Sequence, residues 1–255
     1  MKKRISLFLF FLLVYTSPGF AAESKMVFLG NIEFSFIKEN SQKDFEVRLY
    51  VREKAGLLKY LAEERSYNII EKSDYLSIKN RHYSFPKEKD YKNIEPSFIN
   101  DFNVELFTPI REEIMKQYGK TPEPEELTQY VNKYITNKSF SRGFDTASVV
   151  AEKREGDCTE HAILLVSIMR MFKIPARLVM GVKFFEEEEA SFAYGHAWVE
   201  YVHKGKWKGA DPSLLNEVDH SYIPTGTVDR EGMGYTMGMI PLFNRLPYRI
   251  ERSGL

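Results

Sequence analysis

Residues 156–177 read GDCTEHAILLVSIMRMFKIPAR, and this stretch decides the fold. A glycine turn leads into Asp157 and Cys158, and then Ala162, Ile163, Leu164, Leu165, Val166, Ile168 and Met169 follow with few polar interruptions. A segment apolar on every side predicts a buried helix from Cys158 to about Phe172, with Asp157 as its cap. The amino end of such a helix carries unpaired N–H groups and a partial positive charge. These favour a thiolate over a thiol, so a lowered Cys158 pKa is expected. The same N–H groups, that of Cys158 included, point to where the oxyanion of a tetrahedral intermediate would form.

A thiol attacks amides well only with a base beside it, and residues 192–213, FAYGHAWVEYVHKGKWKGADPS, supply one. Ala197, Val199 and Tyr201 alternate with His196, Trp198 and Glu200, a turn falls at Lys204-Gly205, and Pro212 stops the return strand. A two-residue turn pairs His203 with Lys206, sets Trp198 opposite Asp211, and makes His196 the diagonal neighbour of Asp211 on one face of the sheet. From that face Asp211 would fix the imidazole tautomer, His196 would share or take the thiol proton, and Cys158 would attack a carbonyl.

GDCTEHA, RMFKIPAR (Arg170 to Arg177), GHAWVEY and WKGADPS together resemble the transglutaminase-like superfamily, whose papain-related cores carry their catalytic residues in the order Cys, His, Asp. The resemblance runs from about Thr121 to Gly226. It implies an α+β fold with a papain-like or transglutaminase-like core, in which the helix of the nucleophile packs on an antiparallel sheet. It also implies a thiol enzyme that acts on peptide or glutamine side-chain amides through a Cys158 thioester, with water favoured over an amine as acceptor. The superfamily also includes inactive members, so a binding module contacting protein or the cell wall is the alternative. The stretch departs from the pattern near Lys173, where a glycine is expected.

Around this core, the 255 residues with 43% hydrophobic side chains suffice for one or two globular domains. The 36 basic and 36 acidic side chains cancel, so no global field recruits nucleic acid or an anionic membrane. Lys2, Lys3 and Arg4 before the apolar run Ile5 to Tyr15, with small residues at Gly19 and Ala21, read as a signal peptide over residues 1–21. The expectation is an exported chain, periplasmic or secreted, off the membrane once cleaved. Cys158 is the only cysteine, which rules out an internal disulfide.

Residues 22–96 read as a strand-rich N-terminal region: Ile32, Phe34 and Phe36 alternate with polar neighbours, as do Phe45, Val47, Leu49 and Val51. A helix over 54–65 carries Leu57, Leu58 and Leu61, and residues 85–94 read as a loop. Residues 97–255 read as the catalytic domain. A helix is expected from near Ser97 to Tyr118, and another opens at Thr121-Pro122, with Leu127, Tyr130, Val131, Tyr134 and Ile135 on one face. A short helix capped by Asp145 and ended by Gly156 follows.

Other assignments of the singled-out residues are weaker. Cys158, His161, His196 and Asp211 could ligate zinc, but the second sulfur of a structural site is missing. The glutamates at 186–189 lack a calcium-loop pattern. No metal or cofactor is therefore expected. His161 reads as a hydrogen-bonding neighbour of the nucleophile, His203 as an exposed turn residue, His82 as outside the site, and His220 as a residue at its edge. Trp198 and Trp207 share the face of His196, as packing, as an aromatic wall or as an indole donor to the oxyanion.

Overall fold

The computed structural model describes residues 32–36, 45–79, 82–140, 143–186, 191–228 and 235–253. In chain order the elements are β1 (Glu33–Phe36), β2 (Glu46–Val51), α1 (Lys54–Glu64), β3 (Ile69–Glu71), β4 (Leu76–Ile78), α2 (Phe107–Tyr118), α3 (Pro124–Tyr134), α4 (Ala147–Lys153), α5 (Cys158–Met171), β5 (Ala176–Glu186), β6 (Ser191–His203), β7 (Lys206–Ala210), β8 (Tyr222–Val228), α6 (Tyr235–Arg245) and β9 (Pro247–Ser253). The expected signal segment lies outside the described residues, as do residues 187–189 of the acidic run. No described helix is long and apolar enough to cross a membrane.

Helix α5 is the centre of the α+β core. Thr159 through Arg170 are all buried, and each fully buried Leu or Ile contributes about 1.5–3 kcal/mol. One side of α5 meets α3 and α4. The other meets the antiparallel sheet β7-β6-β5-β8 through Leu178, Met180, Ala197, Val199 and Tyr201. The helix ends in a Schellman arrangement: Ile174 N–H donates to the Met169 carbonyl at 2.9 Å and Lys173 N–H to that of Arg170 at 2.9 Å. Lys173 takes the left-handed conformation there, φ 63°. That explains why a glycine suits this position and shows that lysine can serve it. Arg170 then closes the turn, its Nε donating to the Ala176 carbonyl at 2.9 Å.

The β6–β7 hairpin has the expected register. Lys204 and Gly205 both have positive φ, 51° and 73°, as a two-residue type I′ turn requires. His203 pairs with Lys206, and the ladder runs to Val199 opposite Ala210.

Several boundaries differ from the sequence reading. Helix α2 starts at Phe107 rather than near Ser97, and α3 starts at Pro124, where a proline at the first helical position leaves no amide unsatisfied. Thr146, not Asp145, precedes α4, and Arg154 in the left-handed conformation ends it before Gly156 is reached. The largest difference concerns the second sheet, ordered β1-β9-β2-β4-β3: its second strand, β9, comes from far along the chain and pairs in parallel with β1 and antiparallel with β2. The region expected as catalytic thus lends a strand to the N-terminal sheet. Val182, Phe184, Ala193 and Ile223 from the outer half of the first sheet join Leu49, Leu57, Leu61 and Ile250 in one core, which couples the two sheets.

Candidate active site

Cys158 is the first residue of α5 and is partly exposed. Asp157 caps the helix as expected. Its side chain accepts from Thr159 N–H at 2.8 Å and from the Glu160 N–H, while Glu160 Oε2 accepts from the Asp157 N–H at 3.1 Å. The cap therefore occupies the amides of Thr159 and Glu160, and the Cys158 N–H is not among those it uses. Gly156 makes this turn possible: its φ of 152° suits glycine, and a Cβ there would meet the Glu160 Cβ at 2.2 Å.

The hairpin brings the other residues to the nucleophile by ending early. In its register the odd-numbered residues of β6 turn their amides toward β7, and β7 stops at Ala210, opposite Val199. The next such amide, that of Ala197, thus has no strand to pair with, and it bonds the Cys158 sulfur instead. The nucleophile occupies the strand edge that β7 vacates, one residue from His196.

His196 and Asp211 meet as the register predicts, with Nε2 2.7 Å from Oδ2. Asp211 is fully buried. Burial would raise its carboxyl, but His196, Ser213 and Tyr222 hold it well below the usual carboxylate range. An ionised carboxylate only accepts, so Nε2 carries a proton, and in the neutral ring the lone pair is then on Nδ1. This is the tautomer a general base for the thiol requires. The remaining lone pairs of Asp211 are also used: Oδ1 accepts from Ser213 N–H at 2.9 Å, Ser213 Oγ at 2.7 Å and Leu214 N–H at 3.1 Å, and Oδ2 accepts from Tyr222 Oη at 2.9 Å.

The expected lowering of the Cys158 pKa is corrected. Burial pushes the thiol well up, the carboxylates of Asp157, Asp211 and Glu160 add to this, and only the Ala197 N–H opposes. Desolvating a thiolate among three carboxylates outweighs one helix end. The sulfur is therefore held as a thiol.

The other singled-out residues fall as follows. His161 is buried, donates from Nδ1 to the Asp157 carbonyl at 2.6 Å, and is pushed down to about 4 by burial, so it is neutral. Among the described residues no cluster of His, Cys, Asp and Glu could hold a metal ion. His203 is not simply exposed: its Nε2 lies 3.1 Å from a Glu123 carboxylate oxygen. His82 and His220 are both exposed, and His220 lies nearest Asp219, at 3.9 Å. Both indoles are committed elsewhere, Trp198 to Tyr83 Oη at 3.0 Å and Trp207 to the Glu88 carbonyl at 2.6 Å, so neither donates to an oxyanion. Trp198 stacks on His196 at 6.4 Å and forms the expected wall.

Behind that wall is a group that the sequence reading did not find. Glu200, two residues beyond Trp198 on the same face, is fully buried and bonded to Arg65, to Arg177 Nε at 3.1 Å and to Tyr83 Oη at 2.6 Å. One signal was available, namely the one carboxylate in a largely apolar strand. Its partners Arg65 and Tyr83 come from the N-terminal region, too far along the chain for any local pattern to reveal.

Residues 110–212 match the family described as the transglutaminase-like superfamily. The span contains Cys158, His196 and Asp211. The chain is also similar to a structure from Cytophaga hutchinsonii solved as a candidate cysteine protease, at 12% identity over 78% of each chain with a TM-score of 0.44. It is similar to the periplasmic domain of TgpA from Pseudomonas aeruginosa bound to ethylmercury, at 20% identity over 55% of each chain with a TM-score of 0.37. The chain thus spans about half the length of the TgpA domain. A structure of a TGase is similar at 16% identity, over 82% of this chain and 59% of the other, with a TM-score of 0.32. A search of the curated proteins found no match.

Proposed function

We propose, from the membership of residues 110–212 in the transglutaminase-like superfamily, that this chain is a thiol enzyme acting on amide bonds, and that water is its main acyl acceptor. The observation that carries the reading is the His196–Asp211 bond at 2.7 Å, made through Nε2, which leaves Nδ1 as the ring nitrogen available to the thiol. His196 takes the Cys158 proton as sulfur attacks the amide carbonyl, and the Cys158 N–H stands at the oxyanion. The carbon–nitrogen bond then breaks, and His196 returns the proton to the leaving amine. Water activated by the same imidazole attacks the thioester, releases the acid and restores the thiol.

The substrate class is a protein or peptide amide, with cell-wall peptide included if the N-terminal segment directs export to the periplasm or beyond. Hydrolysis is favoured over amine transfer because no feature among the described residues marks an amine-binding pocket, whereas water needs only access. A second reading, a binding module without turnover, draws on the thiol held well above its ordinary value.

The test incubates the protein with a glutamine-containing protein and a labelled primary amine, and follows ammonia release and label incorporation. Release without incorporation, lost in Cys158→Ala, is the expected result. Incorporation dependent on Cys158 would make the chain a transferase, and no Cys158-dependent turnover would support the binding module. Alkylation of Cys158 against pH, compared with His196→Ala, checks the pairing without a substrate. The rate should rise with an apparent pKa that changes when the imidazole is removed.

A further inference from the structure

We propose that Tyr222 is a positioning residue of this site, and that its phenol sets how strongly Asp211 holds the His196 imidazolium. The proposal rests on the reading of Cys158, His196 and Asp211 as a catalytic unit. Tyr222 Oη donates to Asp211 Oδ2 at 2.9 Å, and the same oxygen accepts from His196 Nε2 at 2.7 Å. Two donors therefore compete for one carboxylate oxygen, while three further donors occupy the other.

The placement is specific. Tyr222 is buried at the start of β8, two strands away from His196 across β5, and a loop after Asp211 returns the chain to this point. Its ring lies 6.0 Å from the imidazole and 5.3 Å from Trp198, and the Lys183 ammonium stands 4.2 Å from its centroid. The Asn216 side chain bonds the phenol from the far side. A line of hydrogen bonds therefore runs from Asn216 through Tyr222 and Asp211 to His196. Burial and the neighbouring Asp211 raise the phenol far above its ordinary range, so it remains a donor wherever the enzyme works. Packing alone would be served equally well by phenylalanine.

The sign of the effect follows from the shared oxygen. A phenol that donates to Oδ2 disperses part of its charge. Without it, Asp211 is more basic and stabilises the imidazolium more, so His196 keeps its proton to higher pH. The other titratable or charged groups facing the pair are Cys158, Asp157, Glu160 and His161 on α5, Lys183 on β5 and Asp219 beside Tyr222. All of them remain in Tyr222→Phe.

The experiment is a nuclear magnetic resonance titration of the His196 ring in Cys158→Ala protein, with and without Tyr222→Phe, paired with pH profiles of kcat/KM in Cys158-containing protein. The expected result is a His196 pKa about 0.5–1 unit higher in Tyr222→Phe, and an acid limb displaced by the same amount. An unchanged His196 titration, with any rate loss uniform across pH, would overturn the proposal and leave the phenol a packing group. If Tyr222→Phe does not fold, 3-fluorotyrosine at position 222 is a stronger donor that keeps the volume. It should move the His196 pKa down, and no movement would again overturn the proposal. The titration needs no turnover, so an inactive protein with a shifted His196 refutes the enzymatic reading while upholding the coupling.

Discussion

Asp211 and Glu200 are both fully buried carboxylates, one bonded to His196 and the other two residues beyond Trp198, and both are held below their ordinary pKa. They differ in what surrounds them. Glu200 is bonded to Arg65 and Arg177, two cations that never lose their charge, and to Tyr83. Asp211 is bonded mainly to neutral donors, and its one potential cation is the His196 imidazole, which is not a permanent charge. The first cluster can only hold structure. In the second the net charge depends on a proton in transit. A buried carboxylate thus becomes useful for proton transfer when its neighbours satisfy its hydrogen bonds without cancelling its charge.

Substitutions can break this contrast. Asp211→Asn should have the largest effect, a loss of about 10³–10⁴-fold in kcat/KM, because the amide no longer enforces the Nε2–H tautomer. Its thermal unfolding near neutral pH should change far less than its activity. Its stability should also lose less on acidification than that of the parent. A carboxyl lowered in the fold contributes above the unfolded value near 3.9, and that contribution disappears as pH falls through the folded value. Arg65→Ala should do the reverse. Removing one partner from a buried ion cluster costs about 3–5 kcal/mol, read as a lower denaturant midpoint, while activity per folded molecule stays within about tenfold.

A third buried carboxyl sharpens the comparison, because no cation among the described residues offsets its charge. Glu160, fully buried beside Asp157, is pushed up to about 7 by burial and by that neighbour. Because its folded value is raised, its contribution is complete below the unfolded value near 4.3 and is lost as pH rises through about 7. Glu160→Gln should therefore flatten the stability profile between pH 4.5 and 7.5, by at most about 3 kcal/mol. This is the smallest of the three effects, and chemical denaturation at several pH values would read it.

Which features the sequence disclosed follows from the range of the interactions involved. The β6–β7 register was legible because Lys204 and Gly205 impose a two-residue turn, and that register places His196 beside Asp211. Helix α5 was legible from its apolar run and its cap. The Cys158 ionisation was read in the wrong direction, because a helix end is a local signal whereas the burial of the sulfur and the approach of Asp211 are products of tertiary packing. Arg65 and Tyr83, which meet Glu200 from more than 100 residues away, and Tyr222, which meets Asp211 across a loop, form contacts that no periodicity encodes.

Strand β9 carries a consequence for how the chain is made. It lies between β1 and β2, and β1 pairs only with it among the described strands. A ribosome that has just released β2 must add about 200 more residues before the strand that joins β1 to β2 appears. The N-terminal sheet cannot close until β9 has been made, and its high contact order makes late, slow closure the expected course. The hairpin and α5 are local and can form earlier, but Arg65 and Tyr83 are offered by the region that waits. Order at the wall behind His196 would therefore be reached last, so a truncated or half-made chain would hold the three site residues without the support that aligns them.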